Sequence, residues 1–384
     1  MRMSNKAAGK QVAARALTPK LRFPEFRDAG SWEEMALREI CLRITNGKAN
    51  AEDHEEDGIY PLFDRSAVIK RSSAFMFDAE AVILPGEGMR FIPKYFKGRF
   101  NLHQRAYALM EHQGDARFVY YSLDYRKDLL AKKAVKSTVL SLRLPIVENF
   151  VIGRPQLPEQ QKVAECLTSL DEVIATQSQK LAALKTHKKG LMQQLFPREG
   201  ESQPRLRFPE FQEQWGETPL GNLCDSISSG RDQSEPNGAF DLYGSTAIIG
   251  KTTNPSFSGQ RILVARVGAN AGLLTKADGQ YGVTDNTLVV SPSPSVNIDY
   301  LFYYLGNINI NRLIFGSGQP LITGSILKNL RILLPVDSEQ RKISACLASL
   351  DECIIAQSDK LEALKIHKRG LMQQLFPSPE AGEA

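Results

Sequence analysis

At 384 residues, 42% hydrophobic and 24% charged, the chain can bury more than one core, which points to two or three domains. It has no apolar run of the ~18 residues that a membrane helix needs, so a membrane span is excluded. The net charge of +5 is matched by Arg2, Lys6, Lys10, Arg15 and Lys20, so the remainder is near neutral and any nucleic-acid contact must come from local clusters.

Residues 1–19 are basic, with no apolar stretch or cleavage site, and read as a disordered tail rather than a secretory signal. Then comes LRFPEF (Leu21–Phe26), followed by Trp32 and a short apolar segment ending at Cys41. These open a first body, 20–156. AVILPG (Ala81–Gly86) has strand character, and ARFVYYSLDYRKDLLAKK has helical spacing with an aromatic face. KSTVLSLRLPIVENFVIGRP gives a polar loop, a short helix and a last strand. Between Arg90 and Arg105, five basic residues (Arg90, Lys94, Lys97, Arg99, Arg105) alternate with aromatics, which suits phosphate contacts but also suits a solvated strand pair.

Residues 157–197 read as one long helix. Val163, Leu167, Leu170, Ile174, Gln177, Leu181, Leu184, Lys188, Leu191 and Leu195 alternate in steps of four and three, the heptad of a coiled coil. Pro158 suits a first turn and Pro197 a stop, so the rod is about 55 Å long at ~1.5 Å per residue. Gln177 on the seam costs stability and fixes register, and Gly190 suggests a close contact or a bend.

After a linker (198–204), LRFPEF recurs at Leu206–Phe211, again followed by Trp215 and Cys224. A second body, 205–336, carries RILVARVG (Arg261–Gly268) and NTLVVSP (Asn286–Pro292) as strands, then VNIDYLFYYLGNININRLIF as a helix. It closes with GSGQPLITGSILKNLRILLP, the counterpart of the first body's ending. A second long helix, 337–377, repeats most of the first, with Asp337 or Ser338 as its cap. Its seam is Ile343, Leu347, Leu350, Ile354, Gln357, Leu361, Leu364, Lys368, Leu371 and Leu375, with Gly370 matching Gly190. HKKGLMQQLFP (His187–Pro197) and HKRGLMQQLFP (His367–Pro377) differ only at Lys189 and Arg369. Residues 378–384 read as a second disordered tail. The expected architecture is mixed α/β (α+β): two tandem strand-rich domains and two long helices that pair as an antiparallel coiled coil with pseudo-twofold symmetry.

Catalytic motifs are missing where they would be needed. GSTAIIGKT (Gly244–Thr252) has five residues between its glycines where a P-loop needs about four. NPSF (Asn254–Phe257) is similar to the Asn-Pro-Pro-aromatic motif of DNA amino-methyltransferases, but Ser256 replaces the second proline. The five histidines show no metal spacing, and the five cysteines (Cys41, Cys166, Cys224, Cys346, Cys353) form no C-x-x-C pair, so they read as reduced, buried thiols.

The doubled LRFPEF…W lead-in, the doubled helix and the two divergent bodies resemble the specificity subunit of a type I restriction–modification system, over about 20–377. YGSTAIIGK (Tyr243–Lys251), VTDNT (Val283–Thr287) and GSGQPLIT (Gly316–Thr323) are similar to segments of that family's target-recognition domains. In the first body, LFDRSAVIKR lacks the Tyr-Gly pair and NLHQRA replaces the Thr-Asp-Asn segment.

The resemblance implies a non-catalytic, cytoplasmic reader of double-stranded DNA. Each target-recognition domain takes one half of a bipartite, asymmetric site, while the coiled coil sets the spacer and docks two methyltransferase subunits. A restriction/translocase subunit can add to these. The chain itself holds no cofactor or metal; S-adenosylmethionine, ATP and Mg belong to the partners. Candidate DNA-binding residues are Arg65, Lys70, Arg90, Lys94, Lys97, Arg99, Gln104, Arg105, Lys136, Ser137 and Thr138 in the first body. In the second they are Lys251, Asn270, Thr284, Asp285, Asn286, Ser317, Gln319 and Thr323. The alternatives are a coiled-coil architectural protein presenting two modules that do not bind DNA, and a stand-alone methyltransferase.

Overall fold

A computed structural model describes residues 17–136, 138–245, 247–313 and 321–378. The chain forms two compact units, 1–177 with 360–384, and 178–359. The division runs through both long helices, Leu157–Leu195 and Asp337–Leu375, so each unit contains a piece of each.

The first unit holds a six-stranded sheet in the order Cys41–Asn46, Ala106–His112, Phe77–Pro85, Lys94–Leu102, Tyr60–Phe63, Lys70–Ser72. Neighbours are antiparallel except Lys94–Leu102 with Tyr60–Phe63, which are parallel. Helix Ala116–Tyr125 starts where the Asp115 carboxylate accepts from the Phe118 N–H at 2.9 Å. One of its faces (Val119, Leu123) covers the sheet, and the other (Phe118, Tyr121) meets the long helices.

In the second unit the same sheet is split. One part is Cys224–Ser229, Thr287–Pro292, Arg261–Ala265, Leu274–Ala277; the other is Ile248–Thr252, Phe240–Tyr243, Gln280–Val283, Phe257–Ser258. The first body keeps its nine-residue strand continuous through Gly98 (φ +131°), whereas the second breaks it at Asp278–Gly279 (φ +81°). Both backbones lie where glycine is favoured.

Within each unit the helix pieces run antiparallel. In the first, Val163, Ala164 and Leu167 pack with Leu371, Met372, Leu375 and Phe376. In the second, Leu191, Met192, Leu195 and Phe196 pack with Ile343 and Leu347. Of the seam residues, Val163, Leu167, Gln177, Leu181, Leu195, Ile343, Leu347, Leu361 and Leu375 are buried, and Leu170, Ile174, Leu184, Leu191, Leu350, Ile354, Gln357, Leu364 and Leu371 are half-buried. Lys188 and Lys368 fall on the same stripe but serve another purpose. Lys368 binds Asp171 at 2.6 Å and Lys188 binds Asp351 at 2.5 Å, the same ion pair with the helices exchanged. Each carboxylate also accepts from a body tyrosine, Tyr121 or Tyr303, at 2.8 Å.

The doubled lead-in has a physical cause. Glu159 and Glu339, at the starts of the long helices, are 3% and 0% exposed. Arg22 binds Glu159 in bidentate fashion at 2.8 and 2.7 Å, and Trp32 Nε1 adds a third bond at 3.2 Å. Arg207 and Trp215 hold Glu339 at 2.7, 2.8 and 3.2 Å. The next residues complete the clamp. Gln160 accepts from the Asp115 N–H and donates to the Pro155 carbonyl; Gln340 does the same with Asn297 and Pro335.

Four expectations change. Leu17 is buried and its carbonyl accepts from the Trp32 N–H, so 17–19 belong to the fold; residues 1–16 and 379–384 lie outside the described residues. Asp337 is already helical, and the Val336 carbonyl takes the first helical bond, from Gln340, so neither Asp337 nor Ser338 is the cap. Cys353 is exposed rather than buried, and Cys166, Cys224 and Cys346 are half-buried. A Cβ on Gly190 or Gly370 would meet nothing within 4 Å, so neither marks a close contact within the chain.

Glu339→Gln leaves Arg207 without its counter-charge and is expected to cost about 3 kcal/mol. Removing the exposed, solvent-screened Lys342–Glu210 pair should cost far less. Urea unfolding of both variants checks this, and equal losses contradict the clamp. Gly190→Ala and Gly370→Ala should each add about 1 kcal/mol, read as a raised midpoint in the same titration.

Candidate nucleic-acid interface

At one end of each body, five chain segments are tied by the same backbone hydrogen bonds. In the first body, N–H groups donate from Gly47 to Ala106 (3.3 Å), Ala49 to Leu102 (3.1 Å), His103 to Phe63 (2.9 Å), Gly86 to Arg105 (2.8 Å) and Leu142 to Gly86 (2.8 Å). In the second they run from Gly230 to Thr287 (3.2 Å), Asp232 to Val283 (3.0 Å), Thr284 to Tyr243 (3.0 Å), Arg266 to Asn286 (2.9 Å) and Ile322 to Arg266 (2.9 Å). The backbones approach so closely that a Cβ on Gly47 would lie 1.8 Å from the Leu102 oxygen. One on Gly230 would lie 1.9 Å from that of Val283. Glycine is required at both.

On this shared scaffold the side chains differ. His103, Gln104 and Arg105 stand where the second body has Thr284, Asp285 and Asn286. The first set is basic and organised around Asp64. Its carboxylate takes Lys70 Nζ at 2.9 Å and the Ser66 N–H at 2.8 Å, while Lys94 Nζ donates to the Ser66 carbonyl at 2.7 Å. Burial pushes the Asp64 carboxyl up, but the hydrogen bonds from Lys70 and Ser66 outweigh it and hold the group below its ordinary value. Burial lowers His103, against the pull of Asp64 and with the help of Arg105, Lys70 and Arg65, so the imidazole favours its neutral form. Arg65 is exposed, and Arg105 reaches Glu87 at 2.7 Å.

Other first-body candidates sit differently. Lys136 and Thr138 are exposed on the small hairpin Val135–Lys136 with Leu140–Ser141, which joins the loop end through Gly86 and Gly88. Lys97 and Arg99 flank Gly98 and face Glu80 (4.0 Å) and Asp78 (3.0 Å) on the next strand. Arg90 lines a groove of about 640 Å³ with Asp124, Lys127 and, from the second long helix, Lys365 and Arg369.

In the second body Asp285 and Asn286 are exposed at the loop tip, and Thr284 is half-buried with its hydroxyl oxygen unpartnered. Asn270 is exposed on the neighbouring loop, which is tied to this tip through Arg266. Two candidates also have structural work. Thr323 Oγ1 caps helix Gly324–Asn329 by accepting from the Ile326 N–H at 3.2 Å, and Lys251 binds Asp241 at 2.6 Å across its hairpin. Strand register pairs Pro61 with Arg71 and Asp241 with Lys251, so Arg71 stands where Lys251 does. Ser137, Ser317 and Gln319 lie outside the described residues.

Sequence reasoning missed Arg266, whose guanidinium reaches the Asp285 carbonyl at 3.4 Å, and Ser245, whose hydroxyl donates to the Asn286 carbonyl at 3.5 Å. A gapless alignment of LFDRSAVIKR with LYGSTAIIGK places Arg65 opposite Ser245 and was the available signal for the latter. Among the described residues the one Cys–His contact, Cys41 Sγ to His112 Nδ1 at 3.3 Å, is partly buried, and burial pushes the thiol up to about 12, so it offers no nucleophile. Among the described residues no helix is long and apolar enough to cross a membrane. What the loop ends offer is donors, acceptors and cations on a fixed backbone, the means by which proteins hold phosphates and read base edges.

The description "Type I restriction modification DNA specificity domain" matches this chain twice, at 30–186 and 212–365. The type I restriction enzyme MjaVIII specificity subunit of Methanocaldococcus jannaschii is 24% identical over 403 residues, covering 93% of each chain. The type I restriction enzyme EcoprrI specificity subunit of Escherichia coli is 30% identical over 120 residues, 31% of this chain and 30% of that one. Among solved structures, the type I restriction–modification S subunit from M. genitalium shares the fold with a TM-score of 0.67 at 17% identity, covering 94% of this chain and 100% of the other.

Gly230→Ala drives a methyl into the Val283 carbonyl and is expected to destabilise the second body by about 3 kcal/mol. Gly324→Ala, whose Cβ meets only ordinary contact at 3.8 Å, should be neutral or stabilising. Thermal unfolding compares the two, and a tolerated Gly230→Ala contradicts the close approach.

Proposed function

Because this chain belongs to the type I restriction–modification DNA specificity family, a non-enzymatic component, we propose that each body reads one half of a split, asymmetric DNA site. The reading is carried by one observation: two loop ends keep the same five backbone hydrogen bonds while their tips change from His103–Arg105 to Thr284–Asn286. A constant frame with exchanged donors and acceptors is what two different half-sites require. In the first body Arg65, Lys70 and Arg105 neutralise phosphates and Gln104 meets base edges. In the second, Asp285, Asn286 and Asn270 meet base edges and Arg266 holds the loop.

The long helices have two further roles in this proposal, spacing the half-sites and docking two methyltransferase subunits. Support for docking comes from their outward faces, which expose the same residues twice: Lys180 and Lys360, Lys185 and Lys365, Gln193 and Gln373, Gln194 and Gln374. A translocating nuclease subunit adds to that assembly. S-adenosylmethionine, ATP and Mg are then the partners' cofactors, and the complex works in the cytoplasm, where its DNA is.

Titrating a labelled duplex with the assembled complex at several salt concentrations tests the reading. Arg105→Ala should lower the salt slope by about one counterion and weaken all sequences alike. Asn286→Ala should keep the slope and lose about 1–3 kcal/mol of discrimination at one base pair. Binding that ignores both salt and sequence contradicts the proposal.

A further inference from the structure

Both bodies carry an uncharged apolar tip beside these loops. The hairpin of Tyr60–Phe63 with Lys70–Ser72 and that of Phe240–Tyr243 with Ile248–Thr252 share a register, Leu62 facing Lys70 and Leu242 facing Gly250. Ala67, Val68 and Ile69 therefore align with Ala247, Ile248 and Ile249, and all six are exposed. Val68 and Ile69 are 74% and 50% exposed, Ile248 and Ile249 50% and 60%. Three consecutive exposed apolar residues at a sheet edge are a liability unless something covers them. Ile59 and Met89, also exposed, align only with Ala239 and Ala269.

Position and chemistry name the occupant. The hairpins support the reading loops directly, through His103 N–H to the Phe63 carbonyl and Thr284 N–H to that of Tyr243. A duplex lying on those loops lies against the tips. Charge is not what the tips share, since Arg65 and Lys70 align with Ser245 and Gly250. Two half-sites differ in sequence, so a feature kept in both bodies does not discriminate bases. DNA offers apolar surface at every sequence, on its sugars and on base faces at an opened step. We propose that Val68 with Ile69, and Ile248 with Ile249, enter the groove beside the reading loops and make a sequence-tolerant apolar contact. This rests on the DNA-reading assignment above.

The test uses the full chain assembled with its methyltransferase subunits. Ile248→Ser with Ile249→Ser, and separately Val68→Ser with Ile69→Ser, are titrated against a labelled duplex carrying the site found by methylation mapping, and against duplexes altered at one base pair in either half. Affinity should fall about tenfold or more on every duplex, with salt slope and discrimination unchanged. The thermal midpoint should hold, because the side chains are exposed. Wild-type affinity in both variants overturns the inference. Failure of the subunits to assemble also overturns it, by assigning the tip to a protein partner. Lost discrimination at a single base pair overturns it too, by making these residues readers. If Asn286→Ala leaves discrimination intact while both tip variants still weaken binding, the base-reading assignment fails and the apolar contact stands.

Discussion

A carboxylate sealed from water fixes how each body joins its helices. Glu159 and Glu339 can be buried only because Arg22 with Trp32, and Arg207 with Trp215, supply three charge-assisted or polar bonds to each. The lead-in is thereby locked to the start of the helix that follows the same body. It is also tied to the end of the other helix: the Leu21 N–H donates to the Gln374 carbonyl, and the Leu206 N–H to that of Gln194. Phe376 then packs on Trp32, Phe118 and Tyr125, while Phe196 packs on Tyr300 and Tyr304. The GLMQQLFP segment is written twice because each body receives the helix end of the other repeat. That reason acts within the chain.

Much of this was legible and some was not. Steps of four and three, from Val163 to Leu195 and from Ile343 to Leu375, mark the inward stripe because side chains spaced so lie on one helix face. The same stripe cannot name its partner, so the reciprocal seating of Phe196 and Phe376 was invisible. Lys188 and Lys368 lie on the stripe by spacing yet act as ion-pair partners of Asp351 and Asp171, which spacing does not report.

Site residues were harder to read, because a loop residue's task depends on bonds made far along the chain. Thr323, a base-reading candidate in sequence, also caps a helix in space. Lys251 is likewise held by Asp241 across its hairpin, a bond that its place in the sequence does not report. Gly47 and Gly230, which let the loop ends close, carry no motif at all; only the shared fold reveals them.

As proposed, the bodies are exchangeable readers on a constant frame. Genome-wide mapping of methylated adenines, with residues 205–335 replaced by the corresponding body of a relative of different specificity, tests this most directly. One half of the methylated site should change and the other should remain. A change in both halves, or in neither, would contradict it.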